Sequence, residues 1–457
     1  MGTQFLHVVL VPIPSQGHIS PILQLGTILH TRGFSITVCH HEFYPVDPSC
    51  FPHLNFQPLK DGSSNNNGSC NDDSSSSFNW VDSILSLNDK YKVSLEDSLT
   101  QIVRASRQQI NNSLPCVIYD GWMYVAAQVA NDLNLPSVAF HTSNAGNFMN
   151  YLITPRLFEE GHIPIQDSKL LQQVPGFSPF RFKDLSLPSM ENLDAMLKLS
   201  TFFCDTRTTS AMIINTIEFL EQSLLEMLKK HFQIPIFSIG PTHKVSPTIC
   251  SSLLEEDTSC ISWLDKQAPN SVLYVSFGSI IFLNKEELTE LAWGLVNSKQ
   301  SFLWVIPPSS LGGLRSLESL PDGFEDAIKE RGYVVKWAPQ KEVLAHDAVG
   351  GFFSHCGWNS TVESISTGIP MICSPNFGDQ LLNARYLSHV WSIGIELEKG
   401  FCREEIENAI RRLMSDVEGK EMRKRAMDLM KMVEASVRRG GSSSNNLNEL
   451  VDFISSF

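Results

Sequence analysis

Residues 337–380 read WAPQKEVLAHDAVGGFFSHCGWNSTVESISTGIPMICSPNFGDQ, and the interpretation of the whole chain turns on them. The apolar run Ala348-Val349-Gly350-Gly351-Phe352-Phe353 has the character of a short strand. The pattern through Val362, Ile365 and Ser366 is that of an amphipathic helix. HCGWNST, residues 355–361, therefore falls where a strand turns into a helix. Such a turn presents backbone N–H groups outside the helical ladder together with the positive end of the helix dipole, and both favour a phosphate. His355, Asn359 and Ser360 add side-chain donors at the same point.

Working outward, the chain has 457 residues, too many for one ordinary core and suited to two domains of roughly 200 residues each. A hydrophobic content of 42% is that of a globular protein. The net charge of −14 argues against nucleic acid or an anionic membrane surface as a partner. An anionic ligand must then be captured by local groups. No basic segment precedes an apolar stretch at the N-terminus, and no window of some 18 residues is uncharged and apolar, so the expected location is cytoplasmic, without membrane insertion. Of the ten cysteines, Cys39, Cys116 and Cys373 fall in apolar runs and none forms a C-x-x-C pair, as expected of buried reduced thiols. Asn67-Gly68-Ser69 and Asn111-Asn112-Ser113 are formal glycosylation sequons that a cytoplasmic chain would not use.

Strand-like runs occur at 6–13, 35–40, 116–120, 137–141 and 211–216, then at 271–277, 301–306, 333–337, 350–354, 370–374 and 393–397. Amphipathic stretches separate most of them. Such alternation predicts parallel sheets covered on both faces, and two series predict two doubly wound domains. The Pro-, Ser- and Thr-rich stretch 241–260 divides an N-terminal domain at 1–240 from a C-terminal domain at 261–440. Residues 61–77, DGSSNNNGSCNDDSSSS, are expected to form a mobile loop. Leu447, Leu450, Val451 and Ile454 give a last helix at 441–457 an apolar face.

The segment 337–380 closely resembles the signature box of plant family 1 glycosyltransferases that use UDP-sugars, and it ends on Asp-Gln as in the glucose-using members. The resemblance extends to VPIPSQGHISPILQLGTIL at 11–29, YVSFGS at 274–279 and GGSSSNNL at 440–447. HFQIPIFSIG and SIGIELEKG are similar to the family 76-like group. The resemblance implies the GT-B fold, two facing doubly wound domains with the last helix packing back on the first. It implies that Trp337 stacks on uracil, that Gln340 and Glu363 hold the ribose, that Ala338 belongs to the same UDP pocket, and that His355, Asn359, Ser360 and Ser279 bind the diphosphate. Trp358, Asp379, Gln380 and Thr142 would face the sugar. The chain departs from many relatives at Ile280, at VIPP in 305–308, where an Arg is common, and at His41.

Pro14-Ser15-Gln16-Gly17-His18-Ile19 follows the first strand, where an open α/β sheet places its chemistry. A lone histidine at a helix start would otherwise be a capping or solvent residue, but within GHISP the resemblance makes His18 the general base. Asp120 ends CVIYD, where it could equally cap the following turn, and the resemblance pairs it with His18. Neither Gly350-Gly351 nor Gly278-Ser279 spells a dinucleotide fingerprint, and no Walker loop or metal motif occurs. His40-His41-Glu42 is a poor ligand set, because adjacent strand residues point to opposite faces.

These readings converge on an inverting transferase that moves glucose from UDP-glucose to a hydroxyl of a small apolar plant metabolite, with no metal or cofactor, acting as a monomer. Other UDP-sugars (xylose, galactose or rhamnose) are the alternative donors, and a non-catalytic UDP-sugar-binding protein is the alternative class. Trp80, Trp122, Phe148, Met149, Tyr151 and Phe203 are candidates for an apolar acceptor pocket and equally for core.

Overall fold

The computed structural model of the chain describes residues 6–42, 46–60, 80–108, 114–187, 192–246, 254–279, 281–307, 320–329 and 331–457. The expected loop at 61–77, both sequons, Ile280 and Pro308 lie outside the described residues. The chain divides into two units, one of residues 1–164, 187–253 and 437–457, the other of residues 165–186 and 254–436.

The first unit is built on seven parallel strands: β1 (His7–Val11), β2 (Ser35–His41), β3 (Asn55–Leu59), β4 (Cys116–Asp120), β5 (Ser137–His141), β6 (Ala211–Ile214) and β7 (Ile236–Ser238). Their order in the sheet is β3-β2-β1-β4-β5-β6-β7. Continuous apolar runs such as HVVLV and CVIYD suit a sheet buried on both faces. Val8, Leu10, Ile36, Ile118, Val138 and Ile213 join the helix Gln16–Thr31 and the last helix, Ser442–Ser455, in one core. Leu447, Leu450 and Ile454 are buried in that core and Val451 packs against it, so the apolar face of the last helix belongs to the first unit.

The second unit carries six parallel strands: β8 (Val272–Ser276), β9 (Ser301–Val305), β10 (Gly332–Val335), β11 (Val349–Ser354), β12 (Met371–Cys373) and β13 (Gly394–Glu396). Their order is β10-β9-β8-β11-β12-β13. Both sheets follow one logic. The first strand is central, the next strands add on one side, and the chain then crosses back to add strands on the other. Each sheet therefore has a switch point, between β1 and β4 in the first and between β8 and β11 in the second.

Two strands escape the sequence pattern. β3 is the edge segment NFQPL, interrupted by Pro58, and β7 is only three residues long. Residues 165–186, counted with the N-terminal half in the sequence, group with the second unit. Polar and aromatic contacts hold them there. Glu396 pairs with Arg181 at 3.8 Å and with Lys183 at 3.5 Å, and Arg385 pairs with Asp184 at 3.7 Å. The Arg385 Nε donates to the Pro179 carbonyl at 3.4 Å, and the Phe180 ring meets Tyr386 edge-on, 5.0 Å between centroids. Within the stretch 241–260, Thr242–Val245 forms a short helix, and a second, Ser259–Leu264, begins at its end. Among the described residues no helix is long and apolar enough to cross a membrane.

Candidate active site

In the first unit, β1 runs into the helix Gln16–Thr31, whose third residue is His18. The His18 N–H bonds back to the Ser15 carbonyl at 3.0 Å, which sets the first turn and leaves the imidazole about a quarter exposed. Asp120 is the last residue of β4, across the switch point, and is 1% exposed. The two meet through His18 Nδ1 and Asp120 Oδ2 at 2.8 Å. The other carboxylate oxygen, Oδ1, accepts the Trp122 N–H at 3.0 Å. Asp120 thus fills both roles that the sequence left open, one oxygen holding the turn and the other holding the histidine.

The strand β5 delivers His141 and then Thr142 beside this pair. Thr142 Oγ1 lies 2.9 Å from His18 Nδ1. His141 is buried and its Nδ1 has no hydrogen-bond partner; burial lowers its pKa to about 4, with the Asp120 charge pulling weakly the other way.

Of the six candidate acceptor residues, the five aromatic ones gather as a single cluster. Trp122 stacks on Phe203 at 3.9 Å and meets Tyr151 edge-on at 4.9 Å, and Trp80 meets Trp122 at 5.7 Å. Phe148 contacts Phe203 at 5.4 Å, and Met149 is the next, buried residue of the same helix. Phe148 and Tyr151 are 1% and 2% exposed, so they form the back of this cluster while Trp80 is its half-buried edge. His41 packs its ring edge-on against Tyr91 and bonds through Nε2 to the Pro12 carbonyl at 3.3 Å.

In the second unit the segment 337–380 wraps the carboxyl ends of β10, β11 and β12. Trp337 and Ala338 follow β10, and Gln340 opens the helix Gln340–Ala345. Gln340 Nε2 donates to Ser360 Oγ at 3.0 Å and to Glu363 Oε2 at 2.7 Å, while its Oε1 accepts the Tyr274 hydroxyl at 3.3 Å. One amide therefore ties the strands β8 and β10 to the helix Trp358–Thr367. Burial raises the pKa of Glu363, with the Gln340 bond opposing.

His355 follows β11 at the switch point and is 8% exposed. Its ring lies against two glycines: a Cβ on Gly278, which has φ +73°, would sit 2.9 Å from Cε1, and one on Gly357 2.6 Å from Nε2. Only glycine fits at either position. Burial lowers the His355 pKa to about 4, with a backbone bond to Ser276 opposing, so the ring is a neutral donor at pH 7. Gly357 opens the helix Trp358–Thr367 and no side chain caps it. That first turn carries Trp358, Asn359 and Ser360, and Ser279 lies in the loop after β8, next to the Gly278 that meets the His355 ring. Asn383 braces the turn by donating to the Cys356 carbonyl at 2.9 Å.

Asp379 and Gln380 follow β12. Gln380 is 3% exposed, and its Oε1 accepts the N–H groups of Asn376 at 2.9 Å and Phe377 at 3.2 Å, which fixes the loop and leaves the amide nitrogen as a donor. Tyr274, Asn383 and the glycine pair around His355 are supporting residues that the sequence reading did not assign. YVSFGS and HCGW contain three of these four positions, so the signal was present but pointed to strand and turn. The described residues hold no group of three or more His, Cys, Asp or Glu side chains able to bind a metal.

A two-sheet α/β protein with a carboxylate-held histidine in one unit and a helix N-terminus lined by amides and hydroxyls in the other has the parts of a nucleotide-sugar transferase. The family model for UDP-glucoronosyl and UDP-glucosyl transferase matches residues 69–434. The chain is 45% identical to UDP-glycosyltransferase 76E1 of Solanum lycopersicum over 98% of its own length and 92% of the relative's. It is 46% identical to flavonol 3-O-glucosyltransferase UGT76E12 of Arabidopsis thaliana, covering 98% and 96%. Among solved structures, Phytolacca americana UGT2 complexed with UDP-2fluoro-glucose and pterostilbene superimposes with a TM-score of 0.80 at 27% identity, covering 99% of this chain and all of that one. The chain belongs to this family of plant UDP-glycosyltransferases and has the GT-B fold.

Three buried imidazoles, His41, His141 and His355, each have a pKa lowered by burial to about 4 from 6.5. Between those limits the unfolded chain binds protons that the folded chain refuses, so stability is full above pH 6.5 and falls as pH drops toward 4. The melting temperature is expected to decline through that window and to decline less steeply in His141→Phe, which removes one such group. An unchanged slope in that variant would contradict the burial assigned to His141.

Proposed function

We propose that this enzyme transfers glucose from UDP-glucose to a hydroxyl of a small, largely aromatic or terpenoid plant metabolite, with inversion at the anomeric carbon. The observation that carries the reading is the 2.8 Å contact between His18 Nδ1 and Asp120 Oδ2 at the switch point of the first sheet. The carboxylate keeps the proton on Nδ1, so the lone pair is on Nε2, where a neutral imidazole can take the acceptor proton. The acceptor oxygen then attacks the anomeric carbon, the bond to UDP breaks, and the α-linked donor becomes a β-glucoside. The name of the Arabidopsis thaliana relative, a flavonol 3-O-glucosyltransferase, supports an aromatic acceptor, and the Trp80–Trp122–Phe203 cluster suits one.

On this reading Trp337 stacks on uracil, Gln340 and Glu363 take the ribose, and the diphosphate lies at the start of the helix Trp358–Thr367 with His355, Asn359, Ser360 and Ser279. Because His355 is neutral, the phosphate charge is met by the helix terminus, worth roughly 0.3–2 kcal/mol, and by charge-assisted hydrogen bonds of about 1.5–3 kcal/mol each. No metal is required. Asp379, Gln380 and Trp358 face the sugar, where a hydroxyl is selected by groups that would otherwise be left unpaired.

Two measurements test the proposal. His18→Ala is expected to lower kcat by about 10²–10⁴-fold on an unactivated alcohol while UDP affinity, measured by calorimetry, stays within a factor of about two. Turnover near that of the wild type would remove the mechanism. In a side-by-side donor assay with EDTA present, UDP-glucose is expected to exceed UDP-galactose and UDP-xylose by about tenfold or more in kcat/KM. Gln380→Glu, which keeps the acceptor for Asn376 and Phe377 but removes the donor, should shrink that lead. A win by another donor, or loss of activity in EDTA, would overturn the donor or the phosphate assignment.

A further inference from the structure

We propose that Thr142 is a positioning residue of the catalytic histidine, acting on His18 Nδ1. The proposal rests on His18 being the base. Thr142 is 5% exposed and its Oγ1 lies 2.9 Å from His18 Nδ1, the nitrogen that Asp120 Oδ2 approaches to 2.8 Å. That nitrogen has one position outside the ring, filled by a proton or by a lone pair. A carboxylate can only accept, so a carboxylate oxygen at 2.8 Å requires the proton on Nδ1. If the Thr142 hydroxyl donated to Nδ1, a carboxylate would face a nitrogen lone pair. The arrangement that satisfies all three groups has one N–H shared between two acceptors, Asp120 Oδ2 and Thr142 Oγ1, with the threonine proton directed elsewhere.

Two acceptors on one N–H restrict both the ring's tautomer and its rotation, and they strengthen when the ring becomes an imidazolium. The tautomer they select carries its lone pair on Nε2. His141, the neighbouring titratable group on β5, is neutral through burial and adds no competing charge.

The surroundings place Thr142 independently of any ligand. Asn215 Nδ2 donates to the Thr142 carbonyl at 3.3 Å, and the Asn215 N–H donates to the His141 carbonyl at 2.9 Å. Just beyond, Asn144 caps the helix Ala145–Glu159 by accepting the Asn147 N–H at 2.7 Å. Glu221, 2% exposed, accepts the N–H groups of Ala145 and Gly146 at 2.9 and 2.8 Å and the Thr216 hydroxyl at 2.5 Å. A buried carboxylate at a helix start, held by three neutral donors, is a rigid anchor. It is well suited to fixing a side chain whose task is angular.

The test compares Thr142→Val, Thr142→Ser and His18→Ala with the wild type on an alcohol acceptor that is not ionised at the assay pH. Thr142→Val keeps the shape and removes the oxygen. It is expected to lower kcat by about 2–10-fold, the effect of one neutral hydrogen bond, with donor KM within about twofold. Its acid limb in kcat/KM should move to lower pH, because the imidazolium has lost an acceptor. Thr142→Ser should restore both the rate and the limb. A raised donor KM with an unmoved acid limb would assign Thr142 to the sugar and overturn the proposal, as would a wild-type profile for Thr142→Val. If Thr142→Val no longer binds UDP, Thr142→Ala in the same assays decides by the same two readouts. A proposal lost while His18→Ala is inactive leaves the base assignment standing, whereas an active His18→Ala removes both.

Discussion

Parallel strands can end only on one side of their sheet, and that constraint organises this molecule. Each sheet grows from a central strand in one direction and then in the other, so at one point two neighbouring strands send their following segments to opposite faces. In the first unit those strands are β1 and β4, which deliver His18 and Asp120, 102 residues apart in sequence, to within 2.8 Å. In the second they are β8 and β11, which bring Gly278 against His355 and present the start of the helix Trp358–Thr367. On the proposed function, the same topological position serves proton chemistry in one unit and anion binding in the other. What differs is the side chains that the two crevices receive.

The two histidines show how environment divides the roles of one residue type. His18 is partly exposed and bonded through Nδ1 to a buried carboxyl group, which orients its ring. His355 is buried between glycines with a pKa pushed down to about 4, so it remains a neutral donor. With a chain charge of −14, attraction of a diphosphate cannot come from the protein as a whole. Oriented amides, hydroxyls and a helix terminus do not depend on net charge, and in a dry site their fixed geometry makes them strong.

Much of this was legible in the sequence, for identifiable reasons. Eleven of the thirteen strands fall in apolar runs that the sequence pattern marks, whereas β3 is broken by Pro58 at the sheet edge and β7 is a short edge segment directly after Pro235. The segment 337–380 sits on contiguous turns, so its residues come together almost by local folding. The contacts that could not be read link distant positions through tertiary packing. Residues 165–186 group with the second unit through pairs such as Lys183 with Glu396, which have no periodicity. The Thr142–His18 contact spans 124 residues and depends on Asn215 and Glu221 for its placement. Asp120 was ambiguous between cap and catalytic partner because the choice lies in which oxygen faces which group, and here the two oxygens divide the roles.

The account stands or falls on His18 removing the acceptor proton, and a series of phenols and alcohols of graded acidity tests that directly. Turnover of the wild type and of His18→Ala would be plotted against acceptor pKa under saturating UDP-glucose. A general base makes the reaction less sensitive to the acidity of the group it deprotonates. The wild-type line should be shallow and the His18→Ala line steep, the two converging for phenols already ionised at the assay pH. Parallel lines separated by a constant factor would contradict the account, because the imidazole would then be serving every acceptor equally without touching its proton.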